Sequence, residues 1–251
     1  RETFLETHDS FVALVDPDYQ ELVKKTSAHS QQTGDNFNII YQITTPAGER
    51  RIIEEFGYGE KDEKGKVVRL FGTAQDVTER EMTKALQARE NELMEASIKQ
   101  MDTIEKPLEQ YLLALEKLFP FIKASVLRVE KGRVWNLTSP SLPTGFISAI
   151  EGEPIGPAAG ACGTAAFTGE RIITTDISQD PIWRGYAKIA LKFGLHACWS
   201  QPIFDSEKHV IATFANYRAA PGEPSVQEMD IFTRSASLLS VVLESHKSSV
   251  E

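Results

Sequence analysis

The first third of the chain carries its apolar residues at a spacing of two. Phe37, Ile39, Tyr41 and Ile43 alternate with Asn38, Gln42 and Thr44, and only Ile40 breaks the pattern. Period two predicts a strand that buries one face. Pro46-Ala47-Gly48 supplies a turn, since proline fixes one dihedral and glycine permits a positive one. Ile52, Ile53 and Phe56 predict a second strand, residues 62–65 a second turn, and residues 67–74 a third strand. Upstream, Phe11, Val12, Leu14, Val15, Tyr19, Leu22 and Val23 precede a polar stretch, and one or two short helices are expected around residues 19–31. Three strands with so little helical cover read as a partial domain.

The spacing then changes. Thr78 followed by Glu81 predicts a capping box and a helix start. Met82, Leu86 and Leu93 lead into Met101, Ile104, Leu108, Tyr111, Leu115 and Leu118, a heptad-like seam joined through Ser97 by one extra four-residue step. Pro107 lies inside it, so a kink or a fresh helix start is expected nearby. The seam admits two readings: a helix packed on its own domain, or a parallel dimer helix that carries a signal.

From about residue 109 onward the sequence has material for a complete core. Ala124, Val126 and Leu127-Arg128-Val129 predict a strand, Lys131-Gly132 a turn, and residues 134–137 its partner. Pro154, Gly156, Pro157 and Gly160 make residues 139–163 a loop-rich stretch. Residues 197–204 and 210–217 predict a hairpin around Ser206-Glu207-Lys208, and Met229, Phe232, Ala236, Leu239 and Leu243 fall at helical spacing.

Composition narrows the function. In 251 residues, 27 Lys and Arg face 36 Asp and Glu, a net charge of -9, which offers no broad surface to nucleic acid or anionic lipid. No run approaches the roughly 20 apolar residues of a membrane-spanning helix, and the opening Arg1-Glu2 leads into no secretory apolar core. A cytoplasmic location is expected, with the parent protein free to be membrane-tethered. Two cysteines, Cys162 and Cys198, are too few for a disulfide-rich secreted scaffold.

Ile155-Gly156-Pro157, Gly160-Ala161-Cys162-Gly163-Thr164-Ala165-Ala166, Asp176-Ile177, Asp180-Pro181, Trp183, Gly194-Leu195, Ala197-Cys198-Trp199-Ser200 and Pro202-Ile203, in that order, resemble a GAF domain. The likeness is to those beside PAS domains in bacterial sensor histidine kinases and diguanylate cyclases, and it covers about residues 107–247. Tyr41, Gly48, Asp62, Gly65, Gly72 and Asp76-Val77-Thr78-Glu79-Arg80 resemble the C-terminal half of a PAS domain and its junction with a signalling helix. The expected fold is α+β: a GAF-like antiparallel sheet with flanking helices, preceded by a partial PAS sheet and a long connecting helix. The expected domains are 1–78, a partial PAS domain; 79–106, a signalling or coiled-coil linker helix; and 107–251, the GAF domain. The missing PAS strands and helices argue against a cofactor in the first of these.

The resemblance implies a small-molecule pocket over the sheet, with residues 139–165 on its ligand side. Candidate pocket or redox positions are Cys162, Thr164, Asp176, Trp183, Tyr186, Cys198 and Ser200. Trp183 and Tyr186 are core residues or stack on a ring-bearing ligand, and Arg184 is placed to pair with an anion. Asp180 before Pro181 starts a helix; Asp176 caps or orders its loop. Cys162 at a helix start favours a thiolate and, if near Cys198, a disulfide that locks loop to sheet; two buried neutral thiols are the plainer reading. His196, Cys198 and Cys162 are the one three-ligand metal possibility, without a compact ligand-spacing motif, and no metal is expected. The cofactor stays unknown. With no phosphate loop, kinase box or cyclase motif, the chain is expected to be a non-catalytic sensory region acting on an effector domain outside it. The expected partners are a second copy through the linker and terminal helices and a small molecule in the GAF pocket, not nucleic acid. The alternatives are a ligand-free dimerisation scaffold and a thiol-based methionine sulfoxide reductase, whose GAF fold the cysteine arrangement faintly resembles although Trp199 departs from its pattern.

Overall fold

The computed structural model describes residues 11–99 and 104–250, with side chains placed through residue 246. It divides into two compact units, Arg1–Met82 and Thr83–Glu251.

In the first unit, helix α1 (Pro17–Thr33) begins at Asp16, whose carboxylate accepts the Asp18 amide at 3.3 Å, and has proline at its first position. It ends at Gly34, whose φ of 75° suits a residue without a side chain and lets its N–H reach the Ser30 carbonyl. One helix forms where one or two were expected, because no glycine or proline interrupts it after Pro17. Strands β1 (Phe37–Thr44), β2 (Arg50–Lys61) and β3 (Val67–Asp76) make an antiparallel sheet in that order. Tyr41 faces Ile53, and both join Val12, Val15 and Val23 in a small core. Ile40, Phe56, Tyr58 and Phe71 stay partly exposed.

Helix α2 (Thr78–Ile98) starts where the sequence predicts, but the Thr78 hydroxyl is differently engaged. It accepts the Ile52 amide at 2.8 Å and donates to Asp76, which also accepts the Thr78 amide, while the Glu81 amide reaches the Val77 carbonyl. Helix α3 (Glu105–Leu118) is a fresh start with Pro107 in its first turn, where the missing amide costs nothing. The expected connecting helix is therefore two helices, and Met101 of the seam lies outside the described residues.

The second unit is built on five antiparallel strands: β4 (Ile122–Glu130), β5 (Arg133–Thr138), β6 (Ile172–Thr174), β7 (Ala197–Phe204) and β8 (Val210–Arg218), ordered β5-β4-β8-β7-β6. Lys131 and Gly132 both take positive φ, which matches the twist of the tight β4–β5 hairpin. Both faces of the central strands are buried. Ala124, Val126, Trp199, Ile203, Ala212 and Phe214 meet a helical layer supplied by Leu86, Leu93, Ile104, Leu108, Tyr111, Leu115, Phe232 and Leu239. The described seam residues Leu86, Leu93, Ile104, Leu108, Tyr111 and Leu115 thus pack inside their own chain instead of lining a coiled coil. On the other face, Leu127, Cys198, Ala215 and Tyr217 lie under helices α4 (Thr144–Ile150), α5 (Gly160–Thr168) and α6 (Ala187–Lys192) and the 3-10 turn Pro181–Trp183.

Helix α7 (Val226–Val250) closes the helical layer. Ser225 and Glu228 form a reciprocal cap: the Glu228 amide donates to Ser225 Oγ at 3.2 Å and the Ser225 amide to Glu228 Oε2 at 2.7 Å. The same buried carboxylate pairs with Arg218 at 3.1 Å, and Tyr111 Oη reaches Ser235 Oγ at 2.6 Å to tie α3 to α7. Removing one partner from a buried ion pair leaves an uncompensated charge. Glu228→Ala is therefore expected to lower unfolding stability by about 3 kcal/mol and Ser225→Ala, which loses only the cap, by about 1 kcal/mol. Urea midpoints of the two variants measure the difference, and equal losses would disprove the ranking.

Candidate functional site

Helix α5 consists almost wholly of small residues, and Gly160 through Ala166 are all buried. Small side chains let its backbone lie close on the sheet. Gly160 enters the helix at φ 64°, a backbone conformation that favours glycine, and packs against the Trp183 ring. Cys162 then falls in the first turn, where the helix dipole favours negative charge.

Below α5 the register of the sheet sets a polar floor. Cys198 pairs with Tyr217, Ser200 with Ala215, and Ser125 with the same Ala215 from β4. Residues directly opposite share a face, so Ser125, Cys198, Ser200, Thr213 and Tyr217 all point toward α5. Cys162 Sγ lies 3.4 Å from Tyr217 Oη, and both cysteines are buried free thiols. The hydroxyls of Ser125, Ser200 and Thr213 are buried without a hydrogen-bond partner of ordinary length.

The two sulfurs divide one proton unequally. A hydrogen bond from Cys198 is the main cause that brings the Cys162 thiol down from 9.0 to about 7, against burial, with the Tyr217, Ser200 and Thr213 hydroxyls adding to it. Burial, followed by the bond to Cys162, pushes Cys198 well up. Burial and the two sulfurs do the same to Tyr217. The two thiols are thus shifted in opposite directions, Cys162 toward the thiolate and Cys198 toward the thiol.

Cys162 also lines a cavity of about 20 Å³ with Leu127, Phe146, Glu153, Trp183, Tyr186 and Tyr217 among its walls. That volume holds about one water-sized molecule. Trp183 is locked by its Nε1–H to Thr174 Oγ1 at 3.0 Å, and Thr174 donates to Asp180 at 2.7 Å. The Tyr186 hydroxyl donates to Glu153 at 2.9 Å, a clasp between α6's entry and the loop before α5. A second hollow of about 410 Å³ lies at the end of the sheet between Phe121, Lys123, Arg218 and Pro221. It touches none of the predicted site residues, and its guanidinium is already paired to Glu228.

Of the seven predicted positions, Cys162, Trp183 and Tyr186 line the small cavity, and Cys198 and Ser200 form the floor beside it. Thr164 holds the amide of the cavity-lining Ala159 at 3.2 Å, and Asp176 orders its own turn through Ser178 away from the cavity. Arg184 is exposed. Among the described residues no group of three His, Cys, Asp or Glu is arranged for a metal. Tyr217, Glu153 and Phe146 were not anticipated. The period-two run Thr213, Ala215, Tyr217 signals one shared face, but only the strand register reveals that this face carries the cysteines.

The depressed Cys162 value has a defined sign. Between about pH 7 and 9 the folded chain binds fewer protons than the unfolded chain, so stability rises with pH across that window and is lost as pH falls through 7. Cys198, raised in the folded state, reverses the slope only above pH 9, where the unfolded thiol ionises. Reduced protein is expected to gain stability of no more than about 3 kcal/mol across the window, and Cys162→Ser to flatten the rise. Urea unfolding at several pH values would reveal a slope unaffected by the substitution if this assignment were wrong.

Comparison with known proteins agrees with this geometry. The GAF domain family matches residues 103–244, and the PAS fold matches residues 1–74. A methyl sulfide methyltransferase-associated sensor from Methanosarcina acetivorans is 29% identical over 239 residues, covering 93% of this chain and 24% of that protein. Among solved structures, the GAF domain of a phosphoenolpyruvate-protein phosphotransferase from Coxiella burnetii superposes with a TM-score of 0.53 at 16% identity, covering 68% of this chain and 96% of that one. Free methionine-R-sulfoxide reductase from Neisseria meningitidis gives 0.53 at 15% identity over 70% and 96%, and the phycoerythrobilin-bound GAF domain of a cyanobacterial phytochrome 0.51 at 11% over 67% and 100%. These structural likenesses establish the fold. The chain belongs to the GAF domain family and carries a PAS-like domain on its N-terminal side, the architecture of a sensory region.

Proposed function

We propose that this chain is the regulatory region of a signal-transduction protein, in which the state of the cavity under α5 sets the packing of α3 and α7. Residues 1–78 serve as the PAS module, 79–106 as the connector and 107–251 as the GAF module. The terminal helices form a homodimer and bias an effector domain elsewhere in the parent protein, in the cytoplasm. The observation that carries the reading is the alternation along β7 and β8. Cys198, Ser200, Thr213 and Tyr217 face the cavity side, while Trp199, Ile203, Ala212 and Phe214 face the helices. A strand that shifts to suit the cavity must move the residues packed against α3 and α7, since a close-packed interior transmits displacement.

Because the heptad seam is buried in its own chain, the dimer contact uses other faces of the terminal helices. Leu113 on α3 and Val241 on α7 are exposed apolar candidates. The small volume of the cavity favours one competing reading, a ligand-free dimerisation scaffold whose core is simply filled. A substrate as large as methionine sulfoxide would require α5 to open.

Sedimentation at micromolar concentration is expected to show a dimer that Leu113→Glu with Val241→Glu converts to folded monomer. Tyr186→Phe, which removes the clasp, is expected to change amide exchange in α3 and α7 several-fold while leaving β1–β3 unaltered. Monomeric wild-type protein at every accessible concentration would overturn the dimer, and unchanged helix exchange would leave only the scaffold.

A further inference from the structure

The polar floor under α5 has an uncommon composition. Two thiols and a phenol share one buried cluster, Tyr217 contacting Cys162 and pairing in register with Cys198, and the Ser200 and Thr213 hydroxyls, both fully buried, lack any partner of ordinary length. Burying a hydroxyl with nothing to bond costs free energy, so such groups are kept where they serve a charge or a guest. The guest cannot be large. The space beside Cys162 is about 20 Å³, little more than one water, and it is walled by Phe146, Trp183 and Tyr186, with the Tyr186–Glu153 clasp forming part of its wall. A molecule of that size that reacts with a sulfur held among hydrogen-bond donors is hydrogen peroxide.

We propose that Cys162 is a peroxide-reactive thiol and Cys198 its resolving partner, a stoichiometric modification site inside the GAF module. The Cys162 thiolate attacks one oxygen of hydrogen peroxide. The O–O bond breaks, the sulfur becomes a sulfenic acid, and the departing hydroxide takes up the proton released by the thiol and leaves as water. The Cys198 sulfur then attacks the sulfenic sulfur, forming the S–S bond as the S–O bond breaks. Its own proton departs with that hydroxide as a second water. Two thiols and one peroxide thus give one disulfide and two waters, the two sulfurs supplying two electrons.

The roles follow from position. Cys162 lines the cavity, and Cys198 does not; it lies behind, on β7, paired with the Tyr217 that contacts Cys162. The Ser200 and Thr213 hydroxyls, which have no other partner, stabilise the Cys162 thiolate before reaction. The lowered Cys162 pKa agrees with that order of events. Linking α5 to β7 fixes the layer above the sheet to the strand that carries Trp199 on the helical side, so the inference rests on the sensory reading of the same cavity and supplies its input.

The test uses the full chain, reduced and then treated with a small excess of hydrogen peroxide. The intact mass is expected to fall by about 2 Da, with one peptide linking Cys162 to Cys198. Cys198→Ser is expected to stop at a gain of about 16 Da on Cys162, trapped by dimedone, and Cys162→Ser to leave Cys198 reduced. Cumene hydroperoxide and oxidised glutathione, too large for the cavity, are expected to react at least about 100-fold more slowly with folded protein and to lose that handicap in urea. Wild-type protein that stays reduced, oxidation that begins at Cys198, or equal rates with large and small oxidants would each overturn the proposal. A disulfide that forms without altering helix exchange would leave the peroxide chemistry standing and remove the sensory reading; altered exchange in Tyr186→Phe with unreactive thiols would do the reverse.

Discussion

The second unit depends on one constraint, the burial of both faces of β4, β8 and β7. A strand buried on one side can present polar residues to water on the other, but these strands cannot. Along their buried stretches each residue belongs either to the helical layer or to the layer under α5, and neighbouring residues belong to opposite ones. Trp199 and Cys198 are adjacent in the chain yet lie in different apolar clusters, as do Phe214 and Ala215. The sheet is therefore a shared wall, and what happens on one side has a mechanical consequence on the other.

The two sides differ in chemistry. The helical side is dominated by leucine, phenylalanine and tryptophan and closes with Tyr111 bonded to Ser235 and Arg218 paired to Glu228. The α5 side combines aromatic walls with thiols and hydroxyls. Small residues along α5 are what bring that helix close enough for Cys162 to meet Tyr217, and Gly160 is what lets the chain turn into it against Trp183. An isolated buried thiol would be neutral and inert. Here the desolvation that suppresses ionisation is opposed by donors converging on one sulfur, and the neighbouring sulfur bears the opposite shift.

The helices before the sheet also show how a pattern can be satisfied in more than one way. A heptad-like seam specifies that a helix has an apolar stripe, and Leu86, Leu93, Leu108, Tyr111 and Leu115 are that stripe. The stripe does not state whether another chain or the sheet of its own domain covers it. The sheet does so because Ala124, Val126 and Phe214 present a complementary apolar face within the same chain, available without the entropic cost of association.

Local rules made the elements legible from the sequence. Period-two alternation located β1, the turn Ser206-Glu207-Lys208 between two runs the β7–β8 hairpin, Lys131-Gly132 the tight turn between β4 and β5, and Pro107 the fresh start of α3. The family resemblance brought Cys162, Trp183, Tyr186, Cys198 and Ser200 into one candidate site, since ordered motifs reflect a shared fold. The tertiary structure alone decided which of them meet. Strand register pairs Cys198 with Tyr217, and helix packing sets Cys162 against that phenol while leaving Thr164 and Asp176 to backbone duties. It also decided the cavity's size and the destination of the seam. The physical reason is one of range: turns, caps and periodicity act over a few residues, whereas the Cys162–Tyr217 contact spans 55 positions and exists only once the whole sheet has closed.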